Sequence, residues 1–363
     1  MLAGRPVHTI EMAVYPTVES DKIVDARQLA ARVKKIFLGC GMRTEPARLL
    51  ADSLVEADLR GIHSHGVLRV PDYAAKLTSE GVDPKGTPWV VRERGAALLI
   101  DGGNAMGQIA CDFAMQEATR AASQVGVAFA AVRGSNHCGA LFHTAMTALD
   151  RGMIGIVGTN ALPTMAPWGG RDKILGINPL AVAIPAGEEP PIVFDAAFSV
   201  SSHGKIRVYH QKGLPLPEGW AFDQDGNPTR DSAQALKGLL QPAGGFKGVG
   251  LAIIAGIFSS FLSGAAFGTE LGNMDDGPRP GEDGQFVAAV DPGFFVDMRE
   301  FRARVDSLVR QIRTSRPAAG FERCYAPGEL EHQFHLKYRR EGIPLSAETL
   351  AGLTNVERTL ALS

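Results

Sequence analysis

The fold is predicted most clearly by residues 127–160, which read VAFAAVRGSNHCGALFHTAMTALDRGMIGIVGTN. Residues 127–132 and 154–159 are short apolar runs, a pattern that is typical of strands buried on both faces. Between them, residues 141–150 carry apolar side chains at helical spacing. A strand, a helix and a second strand in succession predict a layered α/β domain.

The alternation of strands and helices extends in both directions along the chain. Further strands are predicted at 96–101, 180–184, 192–194 and 285–290. Helices are predicted at 24–59 (two helices), 67–77, 109–125, 199–207 and 301–314. Helical segments thus predominate toward both ends of the sequence, and most of the strands lie between them.

Composition and charge narrow the classes of function. The 363 residues include 37 Lys and Arg against 39 Asp and Glu, a net charge of −2. This balance gives no electrostatic reason to expect nucleic acid or an anionic membrane as a partner. Four cysteines lie far apart without a C-x-x-C pair, so we expect reduced thiols in a cytoplasmic protein. Residues 1–22 include acidic side chains and no continuous apolar block, so we expect an exposed leader.

One stretch, residues 249–268, is uncharged and long enough to span a bilayer. It is rich in Gly, Ser and Ala. Gly256, Ser260 and Gly264 recur at every fourth position, a spacing that permits close contact between helices. We expect a helix that is buried in the core or at a subunit interface instead of a membrane span.

The densest cluster of reactive side chains is ADLRGIHSHGVLRVP, residues 57–71. If Ser64 caps the following helix, His65 and Arg69 lie on one face of that helix. Arginine offers a planar fork for a carboxylate, and histidine can transfer a proton near neutral pH. The segment therefore suits a small carboxylic acid. Alternatively, Arg69 pairs with Asp72, and His65 is only a polar residue at the start of a helix.

A second candidate is RGSNHCGA, residues 133–140, which directly follows the predicted strand 127–132. A histidine in the loop after a core strand lies where α/β proteins commonly place their ligands. The small neighbours of His137 leave room for a substrate. Alternatively, His137 only satisfies local backbone groups.

Nucleotide-binding patterns of the common kinds do not occur in the sequence, since both G-x-G-x-x-G and G-x-x-x-x-G-K-[ST] are missing. The segment GGFKGVG, residues 244–250, lets the backbone approach a phosphate, with Lys247 as a positive charge before a helix. It could equally be a flexible lead-in to a buried helix. Asp195 follows a buried strand and can accept ribose hydroxyls or cap a helix that starts near Ser199. Further polar groups follow strands at Asn160 and Asn178.

A metal centre is a separate hypothesis. His63, His65, His137 and His143 could in principle gather as ligands, which would favour a metal-dependent hydrolase or lyase. No acidic residue stands at a typical ligand spacing in either motif, so we expect no metal. A non-catalytic sensor or binding protein with the same fold is a further alternative.

Eight segments occur in succession along most of the chain: ADLRGIHSHGVLRV, DGGNAMGQ, VRGSNHCGA, GTNALPTMAPWGG, GINPLA, FDAAFSVSSHGKI, PLPEGWAFDQDGNPT and GGFKGVGLA. Together they resemble the malate/L-lactate dehydrogenase family, which does not use the Rossmann fold. Its members include sulfolactate, ureidoglycolate and diketogulonate dehydrogenases and piperideine-carboxylate reductases. The ordered set is specific, whereas no single motif is decisive.

The resemblance implies an NAD- or NADP-dependent oxidoreductase that interconverts a small 2-hydroxy acid and its 2-oxo acid, or a related imine and amine. It implies an α/β fold in which residues 126–290 form a family-specific, non-Rossmann NAD(P)-binding domain with a mixed sheet. Residues 1–125 with 291–363 would form a helix-rich domain for substrate binding and dimerisation. A cytoplasmic homodimer or larger homo-oligomer is expected, with active sites near subunit contacts.

The resemblance also implies roles for individual residues. Ser64, His65 and Arg69 would line the substrate site, with Arg69 on the carboxylate. His137 would be the acid/base, with His65 as the second candidate. The positions expected to bind the cofactor are Asn160, Asn178, Asp195, Ala196, Ala197 and Lys247. Departures from the usual family pattern leave the choice between NAD and NADP open. They lie at His63, in FDAAF (residues 194–198), and at Phe246 and Val249.

Overall fold

The computed structural model describes residues 21–211, 213–274 and 277–362; the expected leader falls outside them apart from its last two residues. The helices are α1 (Ala26–Gly39), α2 (Thr44–Leu59), α3 (Val70–Thr78), α4 (Gly107–Val125), α5 (Phe142–Thr147), α6 (His203–Gln211), α7 (Ser232–Lys237), α8 (Phe246–Gly256), α9 (Met298–Thr314), α10 (Glu329–Glu341) and α11 (Ala347–Thr359). The strands are β1 (Lys22–Val24), β2 (Trp89–Arg94), β3 (Ala97–Asp101), β4 (Val127–Ser135), β5 (Ile154–Thr159), β6 (Pro163–Met165), β7 (Leu175–Gly176), β8 (Leu180–Ile184), β9 (Ile192–Ala196), β10 (Ala221–Phe222), β11 (Pro228–Thr229), β12 (Leu239–Leu240), β13 (Asp283–Val290) and β14 (Ile343–Leu345).

Seven strands form the central sheet in the order β2-β3-β4-β13-β5-β8-β9. β3 and β4 run parallel, whereas the other neighbours are antiparallel. The prediction of an α/β fold with a mixed sheet is therefore confirmed. The division into residues 1–125 with 291–363 and residues 126–290 stays a prediction. Strands β2 and β3, from the first part, are hydrogen-bonded into the sheet of the second.

The central strands carry apolar side chains on both faces of the sheet, and other parts of the chain cover both faces. On one face, Ala128, Ala130 and Val132 of β4 pack with small side chains of α4 and α5. On the other face, Phe129 and Phe286 stack with ring centroids 5.4 Å apart. Phe258 meets both of these rings edge-on. Burial on both faces explains why the strands read as continuous apolar runs.

Phe258 belongs to the uncharged stretch that was expected to form one helix. The structure divides this stretch into α8 and a π-helical turn, Ile257–Phe261, with a turn and a loop beyond. Among the described residues, no helix is long and apolar enough to cross a membrane. One side of the segment is exposed in the single chain, so burial of that side in the core is wrong, whereas its burial at a subunit interface stays a prediction. Its exposed apolar side chains include Leu251 (49%), Ile254 (52%), Phe261 (62%) and Leu262 (56%).

Two further cores lie beside the sheet. In the first, α1, α2 and α3 pack with Tyr338, Ile343, Leu345 and Leu353 from the C-terminal part of the chain. Strand β1 pairs with β14, Lys22 opposite Leu345, so the two terminal parts close on each other. The second core surrounds α6, α7, α8 and the small sheet β11-β10-β12.

The helix predicted at 199–207 begins later in the structure, at His203. The N–H groups of Phe198 and Val200 donate to the carbonyls of Ile177 and Gln241, which keeps this part of the chain out of the helix. Ser202 then accepts the N–H of Lys205 (3.2 Å) and caps α6.

Gly107 brings the start of α4 against the loop that follows β4. Its N–H donates to the carbonyl of His137 (3.3 Å). A Cβ at this position would lie 2.1 Å from the carbonyl oxygen of Asn136 and 2.7 Å from Cβ of Cys138. Glycine is therefore required for α4 to pack this closely on the loop that carries His137.

We predict that Gly107→Ala lowers the free energy of unfolding by about 1–3 kcal/mol, because backbone atoms must move to admit the methyl group. Gly250→Ala in α8 is the matched control, since no atom lies within 4 Å of a Cβ there. That control should be neutral or stabilising by about 0.5–1 kcal/mol. Urea unfolding followed by circular dichroism measures both, and equal midpoints for the two variants would contradict the packing argument.

Candidate active site

The turn between α2 and α3 is held by one buried carboxylate. Asp58 is 1% exposed. It accepts the N–H of Val67 (2.7 Å) and lies 2.7 Å from Nδ1 of His63. Burial raises the pKa of Asp58, and these two partners act in the opposite direction. Because Asp58 fixes both sides of the turn, the residues between them adopt a defined arrangement.

Ser64, His65 and Arg69 come together on this turn. The hydroxyl of Ser64 lies 2.9 Å from Nδ1 of His65, and Nε of Arg69 donates to the Ser64 carbonyl (2.9 Å). The condition that Ser64 caps the next helix is not met: α3 begins at Val70, after two short 3₁₀ turns. Arg69 also pairs with Asp72 (3.2 Å), so the alternative partner considered from the sequence is present.

His137 reaches the same place from the sheet. It follows β4, and its ring stacks on that of His65 with centroids 5.8 Å apart and an interplanar angle of 15°. Two segments more than sixty residues apart in sequence therefore contribute one cluster. The four residues predicted to line the substrate site are brought together here: Ser64, His65, Arg69 and His137.

Two further residues, which no sequence motif indicated, lie behind this cluster. Oη of Tyr73 lies 2.7 Å from Nδ1 of His137, and Nε2 of Gln108 donates to the same Oη (3.1 Å). Gly139 makes room for the amide, since a Cβ there would lie 2.7 Å from Nε2 of Gln108 and its φ is +69°. Tyr73 falls on the apolar face of α3, which is why its pattern indicated only core packing. The motif DGGNAMGQ contained Gln108 but gave no sign of its partner.

Helix α6 borders the cluster on another side. A Cβ at Gly204 would lie 3.7 Å from Cβ of Ser64, in ordinary contact. The start of α6, in the core around Trp220, is thus adjacent to the turn that carries Ser64. The cluster therefore lies where three parts of the fold meet, which is a common location for a ligand site.

The histidines of the cluster are held in their neutral forms. Burial and then the positive charge of Arg69 lower the pKa of His65 to about 4. Burial, His65 and Arg69 hold the pKa of His137 well below its usual value. Near neutral pH, Arg69 is therefore the charged group among the four predicted substrate-site residues, and an anionic substrate group is favoured beside it.

Asn160 and Asn178 brace loops beside the sheet. Both are buried. Asn160 donates to Ser260 Oγ (2.7 Å) and accepts the N–H of Gly284 (3.1 Å). Asn178 accepts the N–H of Ala161 (2.9 Å) and donates to the carbonyl of Ala252 (2.8 Å). The two amides thus connect the ends of strands to α8 and the π-helical turn, and their predicted contact with a cofactor stays a prediction.

Asp195 lies near the end of β9, with Ala196 and Ala197 after it. Its Oδ2 accepts the N–H of Phe142 (2.8 Å) at the start of α5. The alternative that it caps a helix near Ser199 is therefore wrong. Burial raises the pKa of Asp195 to about 6, although hydrogen bonds from α5 act in the opposite direction.

Lys247 lies in the first turn of α8, beside two exposed aromatic residues. Phe246 and Trp168 are 62% and 64% exposed, and their rings meet edge-on with centroids 6.4 Å apart. Gly245 is the N-cap and offers no side chain to the first N–H groups of the helix. These groups and the ammonium of Lys247 can receive an anion such as phosphate.

Three of the four histidines considered as metal ligands have other neighbours. Nδ1 of His63 is next to Asp58, Nδ1 of His65 to Ser64, and Nδ1 of His137 to Tyr73. Within the described ranges, no three His, Cys, Asp or Glu side chains are placed to hold a metal ion.

One arginine and two neutral histidines in a single cluster are groups that can bind a small carboxylic acid and transfer a proton. The chain belongs to the malate/L-lactate dehydrogenase family, whose sequence model matches residues 24–354. The predicted family and the oxidoreductase class are thereby confirmed.

Three relatives illustrate the range of the family. The L-sulfolactate dehydrogenase of Methanocaldococcus jannaschii is 38% identical over 89% of this chain and 93% of its own. Its solved structure covers 94% of this chain and 98% of its own with a TM-score of 0.88. The ureidoglycolate dehydrogenase (NAD(+)) of Escherichia coli K12 is 34% identical over 84% of this chain and 87% of its own. A Delta(1)-pyrroline-2-carboxylate/Delta(1)-piperideine-2-carboxylate reductase of Pseudomonas putida is 31% identical over 93% and 98%.

We predict that His65 stays neutral down to about pH 5, because its pKa is about 4 in the folded protein. Between pH 6.5 and 4 the unfolded chain binds a proton here that the folded protein does not, so acid in this window lowers folding stability. Nitrogen-15 NMR of the histidine rings measures the titration. Arg69→Gln should raise the pKa of His65, and an unchanged value in that variant would contradict the assigned charge effect.

Proposed function

We propose that this protein catalyses the NAD(P)-dependent interconversion of a small 2-hydroxy acid and its 2-oxo acid. The proposal rests mainly on one observation: Arg69 and two stacked neutral histidines, from separate parts of the chain, share a single cluster. The relatives named as dehydrogenases of sulfolactate and ureidoglycolate support the same reaction class.

In the proposed mechanism, Arg69 binds the substrate carboxylate through its guanidinium, which Asp72 and the Ser64 carbonyl hold in place. His137 donates a proton to the oxygen on C2 during reduction and removes it during oxidation, with His65 as the second candidate. The hydroxyl of Ser64 orients the substrate. When bound, the nicotinamide supplies or accepts the hydride at C2.

The residues around α8 fit a dinucleotide cofactor. The uncapped first turn of α8 and Lys247 would receive its phosphates. Asp195, Ala196 and Ala197 would form the wall at the end of β9. Asn160 and Asn178 would contact the cofactor from the strand ends that they hold against α8 and the π-helical turn. The cofactor is NAD or NADP, and direct titration with each distinguishes them.

We further propose a cytoplasmic homodimer. The apolar side of α8 and the π-helical turn, which includes Leu251, Ile254 and Phe261, is exposed in the single chain, as expected of a face that a second copy covers. Cytoplasmic location is consistent with Cys40, Cys111, Cys138 and Cys324 as free thiols.

The dimer proposal predicts that Ile254→Glu with Phe261→Glu gives a monomer, because two charges cannot be buried in an apolar interface. Light scattering after size exclusion measures the mass. The matched control places two glutamates on the exposed surface of α9, at Arg304 and Ser307. A dimer that persists in the α8 double variant would refute this interface.

The reaction itself is tested with purified protein, NADH or NADPH, and a panel of 2-oxo acids and cyclic imino acids. We expect oxidation of one reduced cofactor that depends on a 2-oxo acid, followed by absorbance. Turnover of the cyclic imino acids alone would instead assign the reductase activity named for the Pseudomonas relative. Binding of neither cofactor would contradict the proposal.

Arg69→Ala should raise the KM for the carboxylate substrate by about 10–100-fold, since a charge-assisted hydrogen bond contributes about 1.5–3 kcal/mol. Cofactor affinity should not change. Arg304→Ala in α9 is the control, because that side chain is 78% exposed. An unchanged KM in Arg69→Ala would remove the carboxylate role.

A further inference from the structure

His137 receives two hydrogen bonds at a single ring nitrogen. The N–H of Gly139 donates to Nδ1 (3.3 Å), and Oη of Tyr73 lies 2.7 Å from the same atom. A backbone amide cannot accept a hydrogen bond, so Nδ1 is unprotonated while this bond is made. The Tyr73 hydroxyl must then be a donor to Nδ1. In this arrangement the proton of the neutral ring is on Nε2.

The hydroxyl of Tyr73 is linked in turn to Gln108. Nε2 of Gln108 donates to Oη over 3.1 Å, and the residue is only 3% exposed. Its Oε1 is buried as well and has no hydrogen-bond partner within the part of the chain that the structure describes. Buried polar atoms are normally paired. If the amide turns by 180° about its last side-chain bond, Oε1 takes the place of Nε2 and accepts from Tyr73 instead.

We propose that Gln108 and Tyr73 form a reversible hydrogen-bond chain that determines which nitrogen of His137 carries the proton. In the first state, Gln108 donates to Tyr73, Tyr73 donates to Nδ1, and the ring proton is on Nε2. In the second state, Nδ1–H donates to Oη of Tyr73, and the Tyr73 hydroxyl donates to Oε1 of Gln108. Both are positioning residues, since they act through His137, and their use in catalysis rests on the proposed function.

Acid and base chemistry at Nε2 requires the second state. To oxidise a 2-hydroxy acid, Nε2 must offer a lone pair, so the ring proton must be on Nδ1. The hydroxyl proton then moves from the substrate to Nε2 while hydride leaves C2 for the oxidised cofactor, and the C2–O bond becomes a carbonyl. Reduction is the reverse: the ring, protonated on both nitrogens, gives the proton of Nε2 to the oxygen while hydride arrives at C2, and the neutral ring keeps its proton on Nδ1.

The surroundings of His137 explain why uncharged groups, the Tyr73 hydroxyl and the Gln108 amide, determine the position of the ring proton. His65 and Arg69 act on the ring of His137, and Tyr73 is hydrogen-bonded to it. Arg69, Asp72 and Cys138 act on Tyr73. Asp72 is bonded to Arg69, so a phenol and not a carboxylate faces Nδ1. The orientation of the Tyr73 hydroxyl and the Gln108 amide therefore decides how well the protonated ring is stabilised. The first state disfavours the protonated ring, and the second state favours it.

The position of the proton is measured by nitrogen-15 NMR of histidine-labelled, ligand-free protein between pH 7 and 9. We expect the wild type to hold the proton of His137 on Nε2. Gln108→Glu introduces a carboxylate that can only accept when ionised, so it should move the proton to Nδ1. Tyr209→Phe, a hydroxyl deletion beside Trp220, is the control and should leave the signal unchanged. A proton that stays on Nε2 in Gln108→Glu across this pH range would overturn the proposal.

Kinetics provide an independent test. Tyr73→Phe should lower kcat by about 10–100-fold, within the range for general acid–base catalysis, while KM for the carboxylate stays within about threefold. The pH profile of kcat/KM should change shape in Tyr73→Phe and shift in Gln108→Glu. A KM effect alone would assign Tyr73 a purely structural role and overturn the proposal.

The proposed function and the proposed hydrogen-bond chain can be refuted separately. If the proton moves as expected but no 2-oxo acid or imino acid is turned over, the proposed function fails and the hydrogen-bond chain stands. If the wild type turns over a 2-oxo acid and Gln108→Glu changes neither the ring proton nor the pH profile, the chain is refuted and the function stands.

Discussion

Asn136, the residue before His137, holds together the segments on which the site depends. Its amide donates to Asn104 Oδ1 (3.0 Å) and to the carbonyl of Ala105 (2.9 Å), and its Oδ1 accepts the N–H of Gly281 (2.8 Å). The carbonyl of Asn136 accepts the side chain of Gln285 in β13 (3.1 Å). An amide that is 1% exposed and fully bonded leaves the following residue little freedom. His137 is therefore positioned by the sheet and by the start of α4 together.

The loop that carries Asn136 and His137 also brings the sheet into contact with helices α3 and α4. Gly107 lets α4 approach the loop, and Tyr73 of α3 reaches His137 from the opposite side. Asp58 fixes the turn that carries His65 and Arg69. The cluster is thus assembled from rigid segments and not from a long loop, which suits a site that must orient a small substrate against a cofactor.

Much of this arrangement was predictable from the sequence. The apolar runs at 127–132 and 154–159 lie in β4 and β5, because central strands covered on both faces must be apolar throughout. The motifs around His65 and His137 indicated residues that the structure brings into one cluster, since those side chains have few uses in a core. Tyr73 and Gln108 were missed because a tyrosine on an apolar helix face has the same pattern whether its hydroxyl has a partner or not. The partner of Asp195 was also missed, since hydrogen bonds between distant segments leave no local signal.

Burial and charge give the site its chemical character. Removal from water and the nearby guanidinium keep both histidines neutral, so the cluster combines a charged group that suits an anion with uncharged groups that suit proton transfer. His137 is the residue proposed to transfer this proton. Single-turnover kinetics on His137→Gln, with His65→Gln beside it and cofactor affinity measured for each, test this role most directly. We predict unchanged cofactor binding and a hydride-transfer rate that falls by about 100-fold or more in His137→Gln. A wild-type rate in that variant, with the loss confined to His65→Gln, would contradict the account.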